Sequence, residues 1–361
     1  MTTEKKDLLS LDLAELEALL TSLGEPRFRA EQIFSQLHKG RSVFEMTNVS
    51  KATAAKLAEV SFYRLPTVKK KLVSAIDGTV KYLFELADGH TVESVVMHYD
   101  HGTTICVSSQ VGCAMGCKFC ASTIGGKVRN LTCGEILGQV IVASRDMHER
   151  ITGIVMMGIG EPLDNFDNVV RFLRLVNHRK GLKIGYRHIS VSTCGLVDKI
   201  DRLAALGLPV TLSISLHAAD DETRSAIMPI NRRYNIDTLL AACLRYYKRT
   251  GRRISFEYTL IEGKNDSQAA AQKLALLLNR KLRTRTESMP IHVNLIPVNE
   301  VAETGFKRAG SSAVRAFART LEKNGIRATV RRRLGADINA SCGQLRRENA
   351  AQDKKQSDGA Q

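Results

Sequence analysis

The stretch Thr103-Thr104-Ile105-Cys106-Val107-Ser108-Ser109-Gln110-Val111-Gly112-Cys113-Ala114-Met115-Gly116-Cys117-Lys118-Phe119-Cys120 decides how this chain is read. An apolar, strand-like run ends at Val107, and three cysteines follow with the spacing C-x-x-x-C-x-x-C. Soft thiolates on one tight loop suit iron held together with sulfur. A [4Fe–4S] cluster normally takes four cysteine ligands, so three leave one iron open to a ligand that the protein does not supply. A structural zinc site is the competing reading. It needs a fourth Cys or His, often from a second paired motif, and the sequence holds no second C-x-x-C.

From about residue 100 the chain alternates short β-rich runs with helical patterns. The runs are Thr103–Val107, Gly153–Met157, His188–Ser192, Val210–Ser215, Ile254–Leu260 and His292–Ile296. Helical periodicity follows each, at about 132–148, 166–178, 196–206, 236–249, 267–280 and 311–324. Six β-then-α units imply parallel strands with helical crossovers. They are too few for a closed eight-fold barrel, which leaves a partial (β/α)6 barrel or a doubly wound sheet, and function belongs at the C-terminal strand ends. The cysteine loop obeys that rule.

Residues 1–62 read as a small helical accessory domain. Leu9, Leu11, Leu13, Leu16, Leu19 and Leu20 mark a first helix with Asp12 near its start. Pro26 to Leu37 and Ala52 to Val60 mark two more. Residues 63–99 read as a short β-hairpin adapter, with Asp77-Gly78 and Asp88-Gly89 as turns. Residues 100–345 form the main domain, and 346–361 a polar tail expected to be disordered.

The formal charge is +16 over 361 residues. Such an excess favours a polyanionic partner, nucleic acid first, over a small-molecule one, with a merely solvated basic surface as the alternative. No apolar run approaches the roughly 20 residues that span a bilayer, and the N-terminus lacks the layout of a secretory signal. Eight cysteines, three of them clustered, do not make a disulfide framework. They point to a reducing cytoplasm.

Further candidates sit on the expected rim. Met157-Gly158-Ile159-Gly160-Glu161-Pro162 follows the second run. Glycines there allow close backbone approach, and Glu161 can accept from an ammonium group; taken alone, the segment is an ordinary Gly-rich turn. Ser192, Ser215-Leu216-His217 and Asn299 end the third, fourth and sixth units. Cys342 lies among small residues after the basic run Arg331-Arg332-Arg333, and physics alone leaves it between nucleophile and packing residue.

The cysteine loop, with Phe119 before its last cysteine, resembles that of radical S-adenosylmethionine (SAM) enzymes. Nearly the whole chain, to Leu345, is similar to the RlmN/Cfr family of radical-SAM RNA adenine methyltransferases. The matching segments include Ile105–Gln110, Arg129–Leu131, Asn231–Tyr234, Arg253–Tyr258 and Arg331–Leu345. The resemblance implies that Cys113, Cys117 and Cys120 hold a [4Fe–4S] cluster, with SAM on the open iron. It assigns Gly160, Glu161, Ser192, Ser215, Leu216, His217 and Asn299 to SAM. Cys342 corresponds to the cysteine that becomes S-methylated, Cys106 to its resolving partner, and Glu93 to the proton acceptor. Cys133, Cys194 and Cys243 match no family role and read as packing residues.

Carbon 2 and carbon 8 of adenine are poor nucleophiles, which is the chemical reason for a radical route. The family scheme uses two SAM molecules per methyl, the first to methylate Cys342. Proton loss to Glu93 and attack of Cys106 on the Cys342 sulfur then release the product and leave a disulfide. The implied substrate is an adenosine in the peptidyl-transferase region of 23S rRNA, with the adenosine beside the tRNA anticodon as a second. Unstacking a loop adenosine into a pocket costs least. Arg331–Arg333, Arg283–Arg285 and Arg252–Arg253 are candidates to contact phosphate. Residues Ala121–Gly126 and Leu295–Asn299 look like the carbon-2 branch rather than the carbon-8, antibiotic-resistance branch. From another class, the rival is an RNA-binding protein with a structural metal or cluster. The expected electron donor is a flavodoxin or ferredoxin, and the expected state is a cytoplasmic monomer.

Overall fold

The computed structural model describes residues 5–283, 288–300, 303–340 and Leu345. The N-terminal part holds β1 (Lys6–Asp7), α1 (Leu13–Ser22), α2 (Arg29–Leu37), α3 (Lys51–Val60) and β2 (Ser61–Phe62). Asp12 and Glu15 form a reciprocal capping box that starts α1, satisfying amides that the first helical turn leaves unpaired. Leu16, Leu20, Ile33, Phe34 and Leu57 belong to the same continuous core as the sheet that follows.

Strands β3 (Thr67–Val73), β4 (Val80–Glu85), β5 (Thr91–Tyr99) and β6 (Gly102–Cys106) pair antiparallel. Gly78 (φ 71°) and Gly89 (φ 79°) take the left-handed conformation that the first two turns require. A small antiparallel pair, β7 (Gln110–Gly112) and β8 (Lys127–Asn130), then stands apart from the main sheet.

The rest alternates: α4 (Cys133–Asp146), β9 (Ile151–Met156), α5 (Phe166–Asn177), β10 (Ile189–Thr193), α6 (Val197–Ala205) and β11 (Thr211–Ser215). There follow α7 (Asp221–Ile227), α8 (Ile236–Thr250), β12 (Ile254–Leu260), α9 (Gln268–Leu282), β13 (Ile291–Pro297), α10 (Ser311–Lys323) and β14 (Arg327–Val330). The main sheet has ten strands in the order β14-β13-β12-β11-β10-β9-β6-β5-β4-β3. From β6 to β14 every pairing is parallel. Crossover helices cover these strands, and every residue of β12 is buried, as expected of a parallel sheet sheltered on both faces.

All six expected β/α units are present, and the sheet stays open at β14 and β3. One parallel strand was not expected. β14, Arg-Ala-Thr-Val, is short and mostly exposed, so it carries neither an apolar run nor an alternation to read. The hairpin strands β3–β5 extend the parallel sheet through β6 rather than forming a sheet of their own. The polar tail lies outside the described residues.

Candidate active site

Cys113, Cys117 and Cys120 lie on the turn that joins β7 to β8. Gly112 (φ 79°) passes directly against Gly126, whose carbonyl oxygen a Cβ would meet at 2.0 Å. The Cys113 amide donates to that same oxygen at 3.1 Å. Thr123 Oγ1 donates toward the carbonyls of Cys117 (3.1 Å) and Cys120 (2.9 Å). From outside the turn, the Ile227 carbonyl at the end of α7 accepts from Lys118 N–H at 2.9 Å. Ion pairs anchor the base: Lys127 to Asp164 (2.7 Å), and Arg129 to Asp88 (2.7 Å) and Glu135 (2.8 Å).

Burial pushes the Cys113 thiol up to about 12 and Cys117 higher still. A bound metal needs both as thiolates, so loading must expel their protons. The cavity in front of them holds about 820 Å³ of empty space out to its mouth. Among the described residues, no three His, Cys, Asp or Glu side chains converge as ligands of a single ion. Cys194 shares the cavity, but its thiol is hydrogen-bonded to Glu161. Three soft donors on one wall of an open cavity suit a multi-iron cluster with room for a further ligand, and not a closed tetrahedral zinc.

The facing wall comes from C-terminal strand ends. Gly158, Gly160, Glu161, Ser192, Ser215 and His217 all line this cavity. The glycines also permit a close approach within the chain. A Cβ on Gly158 would lie 2.6 Å from the Val107 carbonyl oxygen, and one on Gly160 (φ 108°) 2.6 Å from Gln110 Cβ. They let the loop after β9 press on the segment that leads to the cysteines.

Glu161 is 4% exposed and already accepts from the amides of Leu163 (3.0 Å) and Cys194 (2.7 Å). Burial raises its carboxyl above the usual range, and those amides oppose the rise. His217 Nδ1 accepts from Thr259 N–H at 2.9 Å, and its ring stands edge-on to Phe119 at 4.9 Å. Burial lowers it to about 3, so the ring is neutral and Nε2 carries the proton. Leu216 is different: its side chain is buried in the core, and only its backbone works here, the amide donating to Glu257 O and the carbonyl accepting from Arg224. Asn299 lines not this cavity but its neighbour.

That neighbour is walled by Glu93, Cys106, Asn299, Arg308 and Arg331–Arg333, and shares Met157, Gly158, Ile296 and Arg331 with the cysteine cavity. Cys106 ends β6 and packs with Val95 and Met97. Burial raises its thiol, and the Arg331 guanidinium opposes the rise. Glu93 is 1% exposed and pairs with the equally buried Lys81 at 3.2 Å. Cys342 lies outside the described residues, and with it the partner that the resemblance gives Cys106.

Three wall or support residues escaped the sequence reading. Glu257, buried on β12, accepts from Ser255 Oγ (2.9 Å) and Asn294 Nδ2 (2.7 Å) and faces the cysteine cavity. A lone carboxylate inside an otherwise uncharged strand was the available signal. Arg224 is fully buried, donating to the carbonyls of Leu216, Ser215, Cys194 and Tyr234 and to Asn231 Oδ1. In sequence it sits in the charged run Asp221-Glu222-Thr223-Arg224, which reads as a solvated face. Lys81 likewise reads as the exposed side of a strand. Of the basic pairs, Arg252 bonds Thr211 and Arg283 bonds the Gly325 carbonyl, both at the strand starts, opposite the cavities.

Residues 107–275 match the radical SAM superfamily, and residues 6–62 match the ribosomal RNA large subunit methyltransferase N-terminal domain. A protein of Alkaliphilus oremlandii described as a probable dual-specificity RNA methyltransferase RlmN is 52% identical, over 96% of this chain and 99% of its own. One of Clostridium novyi with the same description is 50% identical over 95% and 98%. The crystal structure of a radical SAM methyltransferase from Sphaerobacter thermophilus superposes with a TM-score of 0.88 at 44% identity, covering 94% of this chain and 98% of that one. Among the described residues no helix is long and apolar enough to cross a membrane.

Proposed function

We propose, from the premise that this chain belongs to the RlmN family of radical-SAM dual-specificity RNA methyltransferases, that its two adjoining cavities divide one reaction between them. The enzyme methylates RNA, using a [4Fe–4S] cluster and two SAM molecules per methyl. When bound, the cluster supplies the electron that turns SAM chemistry from polar to radical. Cys113, Cys117 and Cys120 are the residues to hold it. Glu161, Ser192, Ser215 and the neutral His217 present acceptors and a donor suited to the ammonium, ribose and adenine of SAM.

The target is carbon 2 of an adenosine in the peptidyl-transferase region of 23S rRNA and of the adenosine beside the tRNA anticodon. The second cavity receives it. Once the adduct has given up its unpaired electron, Glu93 takes the proton from the substituted carbon. The Cys106 thiolate then attacks the Cys342 sulfur and the disulfide forms. The electron pair of the broken carbon–sulfur bond stays with the methylene carbon, which takes up a proton to become the methyl group. Arg331–Arg333 and Arg308 meet phosphate at the rim. A flavodoxin or ferredoxin is the reductant, and the protein works as a cytoplasmic monomer.

The observation that carries this reading is the shared wall of Met157, Gly158, Ile296 and Arg331, which sets the cysteine cavity directly beside the one that holds Cys106 and Glu93. Mass spectrometry of nucleosides from RNA treated anaerobically with reconstituted enzyme, SAM and reductant tests it. The expected product is 2-methyladenosine; 8-methyladenosine, or no methylated adenosine despite SAM cleavage, overturns the assignment.

A further inference from the structure

The segment Arg331–Ala340 leaves β14 and crosses the second cavity, giving Arg331–Arg333, Leu334 and Ala340 to its wall. Leu334 and Ala340 pack on Val95, Met97 and Cys106, which is left 7% exposed. No strand or helix lies within this segment. Its first amide, Arg331 N–H, donates to the Leu295 carbonyl at 2.9 Å, and three further hydrogen bonds run to one hairpin turn about 260 residues earlier. Ser74 Oγ donates to Asp337 Oδ1 at 2.7 Å and the Ala75 amide to Asp337 Oδ2 at 2.9 Å. In return, the Gly335 amide donates to Asp77 Oδ2 at 2.9 Å. Gly335 (φ 59°) passes so close that a Cβ would meet Thr79 Cγ2 at 3.1 Å.

Two residues beyond this turn, on β4, Lys81 completes the connection. Its Nζ, on a side chain that is 0% exposed, donates to the Asn339 carbonyl at 2.9 Å while pairing with the buried Glu93 at 3.2 Å. A single ammonium has three donors, and here it serves both the floor of the cavity and its cover.

We propose that the β3–β4 turn and Lys81 latch Arg331–Ala340 over Cys106 and Glu93, with Asp77, Lys81 and Asp337 as positioning residues for the methyl transfer. The importance of the latch rests on the roles given above to Cys106 and Glu93. With the cover down, Cys106 is sheltered by Leu334 and Ala340, and the Glu93 carboxylate is aimed by Lys81. Lifting the cover takes the Asn339 carbonyl from Lys81 and the two apolar side chains from Cys106 together. The thiol that acts last is thereby kept from reacting early.

The test is iodoacetamide labelling of Cys106 in the anaerobic, cluster-loaded, full-length protein, read by peptide mass spectrometry. Asp337→Ala alters an exposed side chain, so the thermal midpoint stays put while Cys106 labelling rises about tenfold. Asp337→Asn keeps one acceptor oxygen and falls between. Lys81→Met raises labelling similarly and lowers kcat about tenfold with little change in KM for RNA. Labelling within about twofold of the parent in both Asp337→Ala and Lys81→Met overturns the latch. So does a rise confined to Lys81→Met, because loss of a buried ion pair alone would explain it. Labelling does not depend on turnover: a latched parent that never methylates RNA sinks the proposed function and leaves the latch standing.

Discussion

The cysteine cavity takes its three candidate ligand thiols from eight consecutive residues, Cys113 to Cys120. The neighbouring cavity gathers Glu93 and Cys106 from the paired strands β5 and β6, and Arg331 from the far end of β14, the last strand among the described residues. In the first, hydrogen bonds inside a single turn set most of the geometry, with one from outside at the Ile227 carbonyl and ion pairs bracing its base. In the second, each side chain depends on a pairing made elsewhere: Glu93 on Lys81, and the cover on Ser74 and Asp77. A site made of local geometry tolerates change far away, while an assembled site registers it. Variants that act on one cavity and spare the other sharpen this contrast.

The largest effect is expected from Cys117→Ala, which removes one of three ligands. Iron content and the visible absorbance of the reconstituted protein should fall to background and methylation with them. Cys106 should keep its parental resistance to alkylation. Unsheltering of Cys106 in that variant would break the separation of the two cavities. Cys106→Ala should do the opposite. Cluster loading stays intact, yet the step that breaks the bond between the Cys342 sulfur and the methylene carbon joined to adenine is missing, so RNA should remain covalently attached on a denaturing gel.

Arg224→Met tests the tie between the cavity's walls, because Arg224 bonds carbonyls after β10 and at the end of β11 at once. Several buried carbonyls would lose their donor, and chemical denaturation should show a loss of about 3 kcal/mol or more. A loss under about 1 kcal/mol would mean that the walls stand without it.

Acid should weaken both regions. His38 in the helical part and His217 in the cysteine cavity are each lowered by burial to about 3, from 6.5. As pH falls the unfolded chain protonates first, so stability is full above about pH 6.5 and is lost toward pH 3. Each histidine accounts for about 2 kcal/mol lost by pH 5. Replacing His38, whose buried Nδ1 has no partner among the described residues, with Leu should flatten the measured slope. The smallest effect belongs to the rim: Arg332→Ala and Arg333→Ala should each reduce the salt dependence of KM for RNA by about one phosphate contact, leaving kcat unchanged.

What the sequence disclosed follows the same division. The β/α alternation and the cysteine turn are local patterns, and both were legible from residue order, down to strand Ile254–Leu260 with its bounds as observed. The rest depended on pairing across the chain. Lys81 reads as the outward side of a strand until β5 brings Glu93 against it. Arg224 reads as solvated until α7 folds under the tips of β10 and β11. Leu216 was placed by its position in Ser215-Leu216-His217, but side chains alternate along an extended chain, and Leu216 faces the core between two cavity residues.

The strip Arg331–Ala340 begins at β14 and is fastened beside β3, the two opposite edges of the ten-stranded sheet. It works as a strap across the gap where the barrel fails to close. Such a strap has no seat until both edges exist, and its own residues follow all ten strands of the sheet along the chain. The cysteine turn can form once its flanking strands pair, whereas the second cavity must wait for nearly the whole chain, the order expected when contacts span a large sequence separation. A growing chain would therefore carry a formed cysteine turn before it had a place to put RNA.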